Sequence, residues 1–373
     1  MIHARLLPLL ALLFAFGACT RGSASNGNGN GTEASPRVLV GAGATLPYPL
    51  YSKWATEYAR VDPTVRVNYQ SLGSGAGVRQ VSDGVVDFGA TDEPMSKEQL
   101  DRSATKLVHV PTTVGAVAFA FNVPDRHELA LTGELAAEIF LGKVTRWDDE
   151  RVRALNPGAP LPSEAIIVVH RADGSGTSAA LTSYLSRHDE AWKTTVGSGT
   201  SPRFPVGVGA KGNEGVTALV RSTPMSIGYV ELAYAHQSNL ATAKVKNPAG
   251  RLVAPTLDAV ERAARSVSTA AASSDAPIVL LDAPDEGAYP IAAVSFVVVP
   301  ADAHGRPNAE ALAKFLWWAV HDGQSFAQEL DYVPLPPPLV ARAERELRGL
   351  RSDGHPLLAA SASSSASDAG PDR

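Results

Sequence analysis

Cysteine is all but absent: the 373 residues hold one, Cys19, so no internal disulfide can form. Histidine is sparse, with nine scattered residues and neither an HExxH nor a paired CxxC spacing, so no metal site and no cofactor are expected. Charge is modest at 19%, with a net value of −5, which excludes the general basic surface of a nucleic-acid binder. Any anion must be attracted locally. Aromatics make up only 6%, so the core is expected to be aliphatic. What the chain does have is turn material, 32 glycines and 27 prolines, in a soluble globular composition that is 45% hydrophobic. At roughly 150 residues per domain its length predicts two domains.

The ends carry separate signals. Arg5, an apolar run over residues 6–16, and Gly17-Ala18 stand before Cys19, in the order of a secretory leader. The run is too short to remain as a membrane span. A small-residue pair before the sole cysteine resembles a bacterial lipoprotein signal, in which Cys19 is lipidated; the other reading is an ordinary leader that leaves Cys19 incidental. Either way the protein is expected in the cell envelope, outside the cytoplasm. Residues 1–18 are read as the signal peptide and 19–36, rich in Asn, Gly and Ser, as a flexible tether. Residues 359–373 form a second low-complexity tail with no evident chemistry.

Between the tails, one pattern recurs three times. A short apolar strand at 38–40 leads to GAGAT and a helix from about Pro47 to Arg60; VRVNY at 65–69 leads to GSGAG and a helix from Val78; a strand at 165–170 leads to RADGSGT and a helix over 178–186. Strand, glycine turn, helix is the grammar of an α/β protein with mainly parallel sheets, whose ligands lie at the carboxyl ends of strands. Each turn carries hydroxyls (Thr45, Ser74, Ser175, Thr177) at a helix start, where free N–H groups and the dipole attract anions and glycine permits close approach. Arg171 adds a full charge. Taken singly, each turn also reads as an ordinary helix cap.

Named alternatives fit poorly. Leu46 stands where a dinucleotide fingerprint needs its third glycine, and there is no GxxxxGK[ST] loop. Ser175 is not in a GxSxG elbow and has no evident histidine base. Trp317-Trp318 reads as core, residues 334–338 with their four prolines as a polyproline linker, and 339–351 as a solvated surface helix.

The strings GAGATLPYPLYSKW (41–54), VNYQSLGSGAGVRQ (67–80), VDFGATDEPMS (86–96), LGKVTRWDD (141–149), HRADGSGTSAALTSYL (170–185), GVGAKGNEGVTALV (207–220) and IGYVELAYA (227–235) resemble the phosphate-binding proteins of bacterial phosphate ABC transporters, over roughly residues 38–351. The resemblance implies a type II periplasmic binding protein fold, two α/β lobes on a two-segment hinge, with lobe one at 37–113 plus 290–350 and lobe two at 114–289. It implies a monomer that captures phosphate for an ABC permease and its ATPase, touching the membrane only through its lipid. The implied ligands are Thr45, Leu46 (through its backbone), Ser74, Asp92, Arg171, Ser175, Gly176 and Thr177, with Asp173 orienting Arg171. Leu46 replaces the family's usual Phe, and Gly75-Ala76 its Ser-Gly pair.

Asp92 is the informative residue, because a carboxylate repels an anion unless that anion brings a proton. Phosphate brings one near neutral pH and sulfate does not. The other reading makes Asp92 a cap for the segment from Pro94. Two rival functions share the cradle: a phosphate sensor, and a phosphatase, which would need a nucleophile with a base or paired metals.

Overall fold

A computed structural model describes residues 36–125, 128–266 and 278–358; the leader, Cys19, the tether up to residue 35 and the tail from 359 lie outside them. The main sheet consists of β1 (Arg37–Gly43), β2 (Val65–Ser71), β3 (Phe88–Thr91), β4 (Leu107–Asn122), β5 (Ile167–Arg171), β6 (Val208–Ala210), β7 (Ser226–Glu231), β8 (Ala241–Thr242) and β9 (Ala292–Pro300). The order is β2-β1-β3-β9-β4-β7-β5-β6, with β8 added on β4. Pairing is parallel among β1, β2 and β3 and among β5, β6 and β7, but β9 and β4 run antiparallel to their neighbours. The sheet is therefore mixed, where alternation alone predicts mainly parallel strands.

The 16-residue β4 organises everything else. Its first half pairs with β9 from Leu107 to Ala116, and its second half with β7 from Val117 to Asn122. Through β9, the carboxyl end of β3 at Thr91 stands level with Pro111; from the other side, the carboxyl end of β7 at Glu231 stands level with Val117. The two parallel sets thus point their carboxyl ends at the same short stretch of β4. A break in register between Ser295 and Phe296 marks this stretch. Such bulges re-aim side chains, and this one lies beside the cluster described below. Val114 and Val333 exchange backbone hydrogen bonds at the same level, adding a third strand crossing.

Six helices are needed for the argument: α1 (Tyr48–Val61), α2 (Ser74–Ser82), α3 (Gly176–His188), α4 (Gly212–Ser222), α5 (Ala309–Val320) and α6 (Pro337–Gly349). Leu50, Trp54 and Tyr58 of α1 are buried at the predicted four-residue spacing, and Tyr58 packs edge-on to Phe315 of α5. Trp318 is core, whereas Trp317 is half-buried beneath the Arg348 guanidinium at 4.7 Å.

Three local expectations are corrected. Helix α2 begins at Ser74 and not Val78, because Gly75 and Gly77 are helical: a Cβ on Gly77 would lie 2.6 Å from the Ala42 carbonyl and the Gly43 Cα. The proline run is no linker, since Pro337 and Pro338 open α6, where their missing N–H groups leave no helical bond unmade. Nor is α6 fully solvated: Leu339, Ala343 and Leu347 bury one face.

Candidate functional site

Every described residue singled out as a ligand lies at a carboxyl end of the sheet, and hydrogen bonds join most of them into one buried cluster. Ser74 is the first residue of α2, set by Gly73 at φ +94°. Its hydroxyl accepts from the Gly176 N–H at 3.0 Å and donates to Asp92 Oδ2 at 3.4 Å. Ser175 caps α3, accepting from the Ser178 N–H at 3.0 Å. Gly176 is required where it stands, because a Cβ there would come within 2.5 Å of Asp92 Cβ. Thr45 follows β1, and Leu46 is fully buried with its carbonyl accepting from the Tyr332 hydroxyl at 2.6 Å.

Arg171 ends β5 with its side chain 1% exposed. Asp173 grips it through two bonds, Nε to Oδ1 at 2.8 Å and Nη2 to Oδ2 at 2.6 Å, and Nη1 reaches Thr177 Oγ1 at 3.4 Å. This fork fixes the plane of the guanidinium and sets the cation beside the start of α3. Burial alone would raise the Asp173 carboxyl, but the Arg171 guanidinium and the Gly212 N–H outweigh it and hold it below its ordinary value. Asp173 therefore fixes the orientation of the Arg171 guanidinium.

Asp92 behaves in the opposite way. It caps no helix; Ser96 caps the following helix, Lys97–Arg102. Its Oδ1 accepts from the Ser295 hydroxyl at 2.6 Å and its Oδ2 from Ser74. Burial pushes its carboxyl up from 3.8 to about 6, against the Ser295 bond, the Arg171 charge and the Ser74 bond. At neutral pH it is an ionised acceptor that gains by finding a proton.

Sequence reasoning missed two members of the cluster. Asn213, fully buried in the first turn of α4, donates from Nδ2 to Thr45 Oγ1 at 2.9 Å and to Thr177 Oγ1 at 3.2 Å. Its only sequence signal is Gly212 before it, the same glycine-then-helix device. Ser295 lies inside the apolar strand β9 and gave no local signal. Around them stand buried tyrosines: Tyr234 donates to the Thr45 carbonyl at 2.7 Å, and the Tyr229 hydroxyl pairs with Ser178 Oγ at 2.6 Å. Glu231 is wholly buried; its Oε2 accepts from the Ala233 N–H at 2.8 Å, and burial raises its carboxyl well above the ordinary range. Among the described residues no cluster of His, Cys, Asp and Glu could hold a metal.

The arrangement sets Asp92, a carboxylate not bonded to a cation, among N–H and O–H donors and one cation oriented by Asp173, which suits a small oxyanion carrying a proton. Comparison with known proteins agrees. Residues 30–322 match the family described as the PBP superfamily domain. Phosphate-binding protein PstS of Pasteurella multocida is 41% identical over 340 residues, spanning 91% of this chain and 94% of that one. The PstS of Haemophilus influenzae is 42% identical over 310 residues, spanning 83% and 92%. Among solved structures, a phosphate-binding protein from Stenotrophomonas maltophilia shares the fold at a TM-score of 0.65 and 20% identity, covering 84% of this chain and 94% of that one. With a family match over most of its length and relatives above 40% identity, the chain belongs to the PBP superfamily and, within it, to the PstS phosphate-binding proteins.

Proposed function

We propose that the protein captures inorganic phosphate outside the cytoplasmic membrane and delivers it to the permease and ATPase of an ABC importer. The observation that carries this reading is Asp92, a buried carboxylate that accepts from the Ser74 and Ser295 hydroxyls and feels the Arg171 charge. The proton of hydrogen phosphate goes to Asp92. The remaining oxygens receive the Thr45 and Ser74 hydroxyls and N–H groups, the Leu46 N–H, the Arg171 guanidinium, the Ser175 hydroxyl, the Gly176 and Thr177 N–H groups and the Thr177 hydroxyl.

Residues 37–113 with 290–350 act as one lobe and 114–289 as the other, hinged where β4 and the start of β9 pass between them. Hydrogen bonds between the two sets that use none of the anion's donors support closure over it: Gly75 N–H to the Gly174 carbonyl at 3.0 Å, and the Tyr234 hydroxyl to the Thr45 carbonyl at 2.7 Å. The role is binding and not turnover. The Ser175 hydroxyl serves as a helix cap and the family members are named as binding proteins, which supports this. Lipid attachment at Cys19 would hold the chain at the envelope; no helix among the described residues is long and apolar enough to cross a membrane.

Titration calorimetry tests the reading. Purified protein should bind about one phosphate per chain, and scattering should show it compact on binding. Absence of binding, or sustained hydrolysis of a phosphate monoester abolished by Ser175→Ala, would overturn it.

A further inference from the structure

We propose that Asn213 is a positioning residue that turns the Thr45 and Thr177 hydroxyls into obligatory donors aimed at the anion; this rests on the phosphate-binding reading above. The amide cannot flip freely, because its Oδ1 accepts from the Glu231 N–H at 3.0 Å, which turns the NH2 end toward the threonines. One Nδ2 hydrogen goes to Thr45 Oγ1 at 2.9 Å and the other to Thr177 Oγ1 at 3.2 Å. Thr45 Oγ1 also accepts from the Asn213 backbone N–H at 3.2 Å, and Thr177 Oγ1 from Arg171 Nη1 at 3.4 Å.

A hydroxyl has two acceptor positions and one hydrogen. Both threonine oxygens therefore have their acceptor positions filled by the protein, and each has only its hydrogen left to offer. Asn213, Thr45 and Thr177 are all buried, so water does not supply an alternative partner cheaply. Two consequences follow for binding. The hydroxyl hydrogens are fixed before the anion arrives, so their ordering is not charged to the binding step. Neither threonine can accept a proton from the ligand, which removes two hydroxyls that would otherwise compete with Asp92 for it.

The test is a double-mutant cycle on phosphate affinity in the full chain, using wild type, Asn213→Ala, the pair Thr45→Val with Thr177→Val, and all three together. If Asn213 acts through the two hydroxyls, Asn213→Ala should weaken phosphate by about 10- to 100-fold in the wild-type background and by less than about twofold in the valine background. A role confined to holding the fold predicts the same loss in both backgrounds, and that result would overturn the proposal. So would wild-type affinity in Asn213→Ala. Melting without phosphate reports folding. If the alanine variant does not fold, Asn213→Ser, which removes the amide without adding a charge, goes through the same cycle: its cost should shrink once the hydroxyls are gone, and an unchanged cost would contradict the proposal. A wild-type chain that binds no phosphate would overturn the parent reading, a result distinct from binding without coupling.

Discussion

Ser295 and Asp92 are 203 residues apart in the chain and 2.6 Å apart in space, with the serine hydroxyl donating to Oδ1. The bond comes from opposite sides of a strand pairing, Asp92 just past the end of β3 and Ser295 on β9, at the point where the register of β9 against β4 breaks. It lowers the Asp92 carboxyl, opposing the larger effect of burial.

Removing that bond should therefore move Asp92 further up. In Ser295→Ala the carboxyl should stay protonated to a higher pH than the wild type's value of about 6, and sulfate competition, which a protonated Asp92 permits, should begin at a correspondingly higher pH. Phosphate affinity at pH 7 should fall about tenfold, the scale of one hydrogen bond to a charged group. Competition titrations across pH 5 to 8 read both effects.

The same carboxyl makes the folded chain sensitive to pH. A folded value of about 6 against 3.8 means that the native state holds this proton more tightly than the unfolded chain does. The stability it contributes is present below pH 4 and is lost as pH rises through 6. Asp92→Asn cannot titrate, so relative to wild type it should gain on the order of 2–3 kcal/mol between pH 4 and pH 8 in the absence of phosphate. Denaturant melts at the two pH values measure the difference; an equal gap at both would show that the carboxyl is not raised.

Glu231 gives an independent case. Its carboxyl is raised well above the ordinary range by burial, so it too contributes stability that is present at low pH and lost as pH climbs. Glu231→Gln should lose this dependence, and the stability of the variant relative to wild type should improve steadily from pH 5 to pH 9. A constant difference over that range would place the ionisation of Glu231 outside the folding balance.

The parts of the site legible in the sequence were those with a local signature. Thr45, Ser74, Arg171, Ser175 and Thr177 each sit where a strand passes through glycine into a helix, and that pattern is written in consecutive residues. Asn213 has half of it, since Lys211 at the cap makes no side-chain bond and only Gly212 marks the turn. Ser295 has none, because a serine in AAVSFVVVP acquires its meaning only from β9 lying between β3 and β4, a pairing the chain order does not reveal. The start of α2 was misplaced for a related reason. Gly75 and Gly77 weaken a helix by propensity, but the close approach of Gly77 to β1 and of Gly75 to Gly174 needs residues without side chains. In α6 the apolar spacing of Leu339, Ala343 and Leu347 was present in the sequence, and the surrounding charges masked it.

On the proposed reading, Asp92 accepts the proton that the anion carries. Sulfate in the same place sets an unprotonated oxygen against the carboxylate, and two unit charges about 4 Å apart at an effective dielectric of 20 repel by roughly 4 kcal/mol, near a thousandfold in affinity. The decisive measurement is titration calorimetry at pH 8, where Asp92 is ionised, of phosphate and sulfate against wild type and Asp92→Asn. Wild type should bind phosphate and reject sulfate, while Asp92→Asn should keep phosphate and gain sulfate by a large factor. A phosphate-to-sulfate ratio unchanged by the substitution would contradict it.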